Sequence, residues 1–157
     1  MKRSSSVRRM RVTRGISGGV LVAAVVVVGP LARADAPAGR YTLMTSNTEV
    51  KDNVTGLIWS RAEESGTFTW ANAKTQCTNR GGGYRLPTIR ELQSIVDDTV
   101  TSAPTIDKTA FLGATSGYKW SSSPYALFSG HAWNVHFSSG TTYNHPVAST
   151  YGVRCVR

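Results

Sequence analysis

The sequence predicts an α+β fold: an opening β-hairpin, two helices, then an antiparallel run to the last residue. Three observations predict it. Apolar residues recur with a period of about two near residues 41–59, about 3.6 between residues 70 and 96, and about two again beyond residue 120. Clusters of glycine, proline and asparagine separate those stretches. Cys77 falls in the helical stretch and Cys155 in the last extended one.

The first 34 residues stand apart. Lys2, Arg3, Arg8, Arg9, Arg11 and Arg14 precede an apolar run over residues 20–28, and Leu31-Ala32-Arg33-Ala34 supplies a small-x-small cleavage site before Asp35. That order is the order of a secretory signal peptide. The apolar run is shorter than the ~20 residues a membrane span needs, so cleavage leaves no anchor. Met10-Arg11-Val12 makes Arg8-Arg9 a poor match to a twin-arginine signal. Export delivers the chain to the periplasm, the cell surface or the medium.

Processing changes the electrostatics. The whole chain has 18 Lys and Arg against 9 Asp and Glu, a net charge of +9. Seven of the basic residues lie at or before Arg33 and every acid lies from Asp35 onward, so the processed chain holds eleven against nine, or +2. The excess is a targeting device, and it gives no support to a nucleic-acid partner.

Residues 35–40 contain Ala-Pro-Ala-Gly and read as a flexible leader, followed by one domain over residues 41–157. Residues 41–45 and 49–51 are β-like, and Asp52-Asn53 with Thr55-Gly56 is turn chemistry leading into Leu57-Ile58-Trp59. Trp70, Ala73 and Cys77 share one helical face, opened by Thr67 or Thr69 and closed near Asn79 by Gly81-Gly82-Gly83. Thr88 and Glu91 form a capping box for a second helix, whose stripe is Ile89, Leu92, Ile95 and Val96 and whose end falls around Asp97-Asp98. Residues 99–118 are irregular, with Phe111 as the core anchor.

Trp120 follows, then residues 131–137, in which His131, Trp133, Val135 and Phe137 alternate with Ala132, Asn134 and His136. Val135 is expected in the core with Trp133 and Phe137. Ser138-Ser139-Gly140 is a hairpin turn, residues 141–144 return, and residues 151–156 make a last strand. In an oxidising compartment a Cys77–Cys155 disulfide is the default, with two separate thiols the alternative. The bond closes a loop of about 80 residues and stabilises the fold by about 4 kcal/mol on the chain-entropy model.

A family resemblance emerges from the order of short strings. Val50-Lys51-Asp52-Asn53-Val54-Thr55-Gly56-Leu57-Ile58-Trp59 comes first, then Trp70, Ala73 and Cys77, then Tyr84-Arg85-Leu86-Pro87-Thr88 with Glu91-Leu92. Trp120-Ser121-Ser122-Ser123, Ala132-Trp133-Asn134-Val135 with Gly140, and Val153-Arg154-Cys155-Val156 complete it. Together they resemble the Lcl C-terminal domain family, named for the end of a bacterial collagen-like adhesin. The helix cysteine tied to the last strand is similar to the C-type lectin-like fold, which also serves the formylglycine-generating sulfatase activators. Fold alone does not carry function.

Neither relative's chemistry transfers residue by residue. A lectin calcium site needs converging oxygens, yet no Glu-Pro-Asn or Gln-Pro-Asp loop occurs and Trp133-Asn134 continues into Val135. Once Cys77 and Cys155 are joined, no thiol is left for activator chemistry. His131, His136 and His145 lack an orderly third ligand for zinc, so no metal and no cofactor is expected. Ser116-Gly117-Tyr118-Lys119 lacks the partner motifs of a Ser-x-x-Lys nucleophile. Arg85 and Arg154 read as braces. Arg80, Arg85 and Arg90 offer a small basic patch as a lesser alternative.

The function expected is therefore a non-enzymatic binding module for a glycan or a cell-surface protein, with a purely structural envelope domain as the alternative. The residues expected to meet the ligand are Tyr125, Phe128, His131 and Asn134, in or beside the late loops between Gly113 and Gly130.

Overall fold

A computed structural model describes residues 38–157, so the signal peptide expected over residues 1–34 lies outside the described residues. The chain forms β1 (Tyr41–Leu43), β2 (Glu49–Asp52), β3 (Ile58–Ser60), α1 (Trp70–Asn79), α2 (Ile89–Ser94), β4 (Tyr118–Pro124), β5 (His131–His136) and β6 (Thr141–Pro146). The strands make two antiparallel three-stranded sheets, β1-β2-β3 and β4-β5-β6. The α+β class follows directly.

Arg40, the last residue of the expected flexible leader, is bonded to the domain. The Arg40 guanidinium pairs with the buried Asp52 carboxylate at 2.9 Å, and the Arg40 carbonyl accepts the Asn53 amide. Asp52 also accepts from the Val54 amide, the local turn bond that its position in β2 invites. The strand expected over residues 41–45 stops at Leu43.

Both helices begin where the sequence places them. Thr69 caps α1, and Thr88 and Glu91 exchange both bonds of the capping box on α2. The second helix ends at Ser94, short of the expected Asp97-Asp98. There the Asp97 carboxylate accepts from the Thr99 amide and hydroxyl, a local turn that competes with continued helix.

The late sheet is covered on both faces. One face joins Val135 to Val50, Trp59, Leu92, Ile95 and Phe111; the other joins Ala132 and Trp120 to Ala73, Cys77, Leu86 and Cys155. This corrects the one-sided reading of residues 131–137: Val135 and Phe137 are core, Trp133 is only half-buried, and Ala132 and Asn134 are fully buried. α1 and the chain's last residues supply the second cover. β4 begins at Tyr118, inside the stretch expected to be irregular, because Tyr118 pairs with His136 of β5. At the β5–β6 turn Gly140 sits at φ +71°, and a Cβ there would stand 2.6 Å from Val96 Cγ1.

The expected last strand is a seam between the sheets. Tyr151 bridges to Phe68, Gly152 to Lys119, and Val156 to both Trp59 and Arg85. Because it changes partner every few residues, no single ladder forms. Within this seam Cys155 is bonded to Cys77 of α1, with the Cα atoms 5.4 Å apart. The disulfide expected from the sequence is present.

Candidate functional site

Pro124 ends β4, and the chain then makes a six-residue excursion before β5. The Tyr125 amide donates to the His131 carbonyl and the His131 amide to the Phe128 carbonyl, while Gly130 takes φ +89° to complete the turn. The turn gathers an aromatic cluster. Tyr125 and Phe128 stack with ring centres 6.2 Å apart, Tyr125 meets Trp133 edge-on at 4.9 Å, and His131 lies 5.8 Å from Phe128. His131 Nδ1 donates to the Asn144 side-chain oxygen at 3.0 Å, fixing its ring. At the tip, Leu127 is 79% and Phe128 63% exposed.

Three of the four residues expected at the site thus share one surface. Asn134 does not. It is fully buried and on the other face of β5, since it is an odd number of residues from His131 and Trp133. Its amide nitrogen donates to His145 Nδ1 at 3.0 Å. That bond favours a neutral imidazole, and burial, followed by the charges of His131 and His136, pushes the His145 pKa below its ordinary value.

On this other face lies a second aromatic group, which the sequence reading left unassigned. Tyr118 is its centre, with ring distances of 4.2 Å to His136, 4.8 Å to His145, 5.6 Å to Tyr143 and 4.9 Å to Tyr151. The signal was available: Tyr143 and His145 alternate along β6, and the turn at residues 138–140 sets them against His136. What was missing was the β4 register that pairs Tyr118 with His136.

Beside Tyr118 and Tyr151 opens a cleft of about 570 Å³, bordered by the exposed Ser65, Thr67, Thr115 and Thr150 and floored by Glu63 and Lys119. Glu63 is the hub of the floor. It accepts from the Thr115 amide and hydroxyl, both at 3.0 Å, pairs with Lys119 at 3.0 Å and lies 3.6 Å from Arg154. Arg154 is 2% exposed and donates to the Ser60 and Arg61 carbonyls at 2.8 and 2.7 Å, a brace as expected. Burial lowers its pKa to about 10, which leaves it charged at neutral pH.

Arg85 also braces, gripping Glu91 through two nitrogens at 2.6 and 2.7 Å. Arg80 pairs with Glu64 at 2.9 Å, so two of the three arginines of the supposed basic patch are neutralised. Among the described residues no three His, Cys, Asp or Glu side chains converge.

The family model described as the Lcl C-terminal domain matches residues 48–157. The chain belongs to the Lcl C-terminal domain family. No curated protein matches its sequence. Among the described residues of this Lcl C-terminal domain, no helix is long and apolar enough to cross a membrane. Both aromatic surfaces, Cys77, Cys155 and the Glu63 hub lie inside the matched span.

Proposed function

We propose that this chain is an exported, non-enzymatic binding module with a C-type lectin-like fold, which recognises a glycan or a protein surface through residues 125–131. One observation carries the reading: Phe128 and Leu127 stand exposed on a turn braced from beneath by Tyr125 and Trp133. Exposed aromatics on a rigid support bury large area at little entropic cost, which is how recognition surfaces obtain affinity. His131, oriented by Asn144, adds a directed polar group at the rim. The family, named for an adhesin's terminal domain, and the signal-like first 34 residues support the same reading. So does the commitment of the acids Glu63, Glu64 and Glu91 to arginine or lysine partners, which leaves them no free pairing as acid and base.

The test is a glycan array together with a cell-surface pull-down, comparing the wild type with a Tyr125→Ala, Phe128→Ala double variant. At least one ligand held by the wild type should disappear in the variant while its unfolding midpoint stays near the wild-type value. An unchanged ligand set would remove the loop from the reading.

A further inference from the structure

We propose that the cleft beside Tyr118 and Tyr151 is a second, independent binding site, and that its ligand is an uncharged saccharide. This goes beyond the loop reading and uses none of its residues.

The cleft has the dimensions of a site. Its volume of about 570 Å³ falls within the ~300–1,000 Å³ typical of small-ligand pockets. It is built from three separate stretches, residues 63–67, 113–119 and 150–152, which the seam holds together through the Phe68–Tyr151 and Lys119–Gly152 bridges. Its shape is therefore set by sheet pairing. A Cβ at Gly152 would come within 2.9 Å of Lys119 Cδ and Nζ, so any larger residue there would displace the lysine side chain.

The charges on the floor argue against an ionic ligand. Glu63 accepts from Thr115, pairs with Lys119 at 3.0 Å and has the Arg154 guanidinium 3.6 Å away. Glu64, which also borders the cleft, is held by Gln76 at 3.0 Å and Arg80 at 2.9 Å. A cation would find both carboxylates engaged. An anion would have to compete with Glu63 for Lys119, whose side chain is only 3% exposed.

What the cleft offers is uncharged. The Tyr118 and Tyr151 rings, 4.9 Å apart and tilted by 46°, give a half-buried apolar wall, and Ser65, Thr67 and Thr150 contribute hydroxyls around the opening. Hydroxyls both donate and accept, as a sugar's hydroxyls do, and a sugar ring's C–H face lies well on an aromatic wall. An uncharged saccharide satisfies both halves of this lining.

The experiment uses the full chain and an array of neutral, sulfated and carboxylated oligosaccharides, read with the wild type, Thr67→Trp, Tyr118→Ala and the loop double variant. Thr67 is exposed, so the tryptophan fills the cleft without removing a buried contact. Neutral saccharides should bind the wild type and the loop variant equally and lose at least tenfold in affinity in both cleft variants. If Tyr118→Ala proves unstable, Thr67→Trp decides alone. Neutral-sugar binding that survives Thr67→Trp within twofold overturns the cleft assignment. So does a wild type that binds charged saccharides only, or none, and in those cases the loop reading still rests on its own substitutions.

Discussion

The Arg154 guanidinium lies 3.6 Å from the Glu63 carboxylate with both groups largely shielded from water, and Lys119 closes on the same carboxylate at 3.0 Å. One acid thus serves two buried cations. Removing it strands both, and breaking a buried pair costs roughly 3–5 kcal/mol. Glu63→Gln should therefore lower the urea midpoint by an amount equivalent to about 3 kcal/mol. Glu64→Gln, which loses the better-hydrated Arg80, should cost less than about 1 kcal/mol. Equal losses in the two variants would show that burial of the hub contributes nothing special.

The Cys77–Cys155 bond spans 78 residues, a separation for which cross-linking stabilises by about 4 kcal/mol through the unfolded state. Unfolding in urea with and without a strong reductant should differ by roughly that amount. A Cys77→Ala, Cys155→Ala variant should be insensitive to reductant. A reductant-independent midpoint in the wild type would contradict the cross-link.

The Arg85 hydrogen bonds, opposed in part by burial, hold the Glu91 pKa at about 2, and the Thr88 backbone adds to the same effect. A carboxylate depressed in the folded state gives stability that is complete above its unfolded value of 4.5 and disappears as the pH falls towards about 2. Stability should therefore decline across that window, and Glu91→Gln should flatten the decline. Thr88→Ala, which removes the other half of the capping box, should cost about 1 kcal/mol at neutral pH. A Glu91→Gln profile as steep as the wild type's would assign the acid sensitivity elsewhere.

Burial, with the nearby His131 and His136 charges, lowers the His145 pKa, so the folded state binds its proton less readily than the unfolded chain. Stability from this group is full above the ordinary value of 6.5 and is lost as the pH falls below it towards the folded pKa. An NMR titration of the His145 ring should show a midpoint under 6.5. A midpoint at or above that value would mean the ring is hydrated and its bond from Asn134 is absent in solution.

Local chemistry was legible in the sequence; the pairing of distant segments was not. Thr69, Thr88 and Glu91 act within a few residues of themselves, so composition and spacing place the second helix start and narrow the first to Thr67 or Thr69. Tyr125, Phe128 and His131 are close in sequence, and a single turn gathers them. Asn134 was misplaced because alternation defines two faces without saying which is covered, and here α1 and the seam cover the one that would otherwise be open. Tyr118 and Tyr151 are 33 positions apart in chain order and belong to different strands' neighbourhoods, so only the Lys119–Gly152 bridge reveals that they share a wall. The Glu63 hub escaped notice for the same reason: its partners Thr115, Lys119 and Arg154 lie over 50 residues away.

The position of the cross-link also decides how the domain answers a mechanical pull. Tension entering at residue 157 reaches Cys155 after two residues and passes covalently to Cys77, so the whole stretch between them is bypassed. β4, β5, β6 and the aromatic turn at residues 125–131 all fall inside that sheltered span. The backbone bonds between Ile58 and Arg157 lie outside that span. A pull between residue 157 and the chain ahead of Cys77 therefore leaves the aromatic turn unstretched.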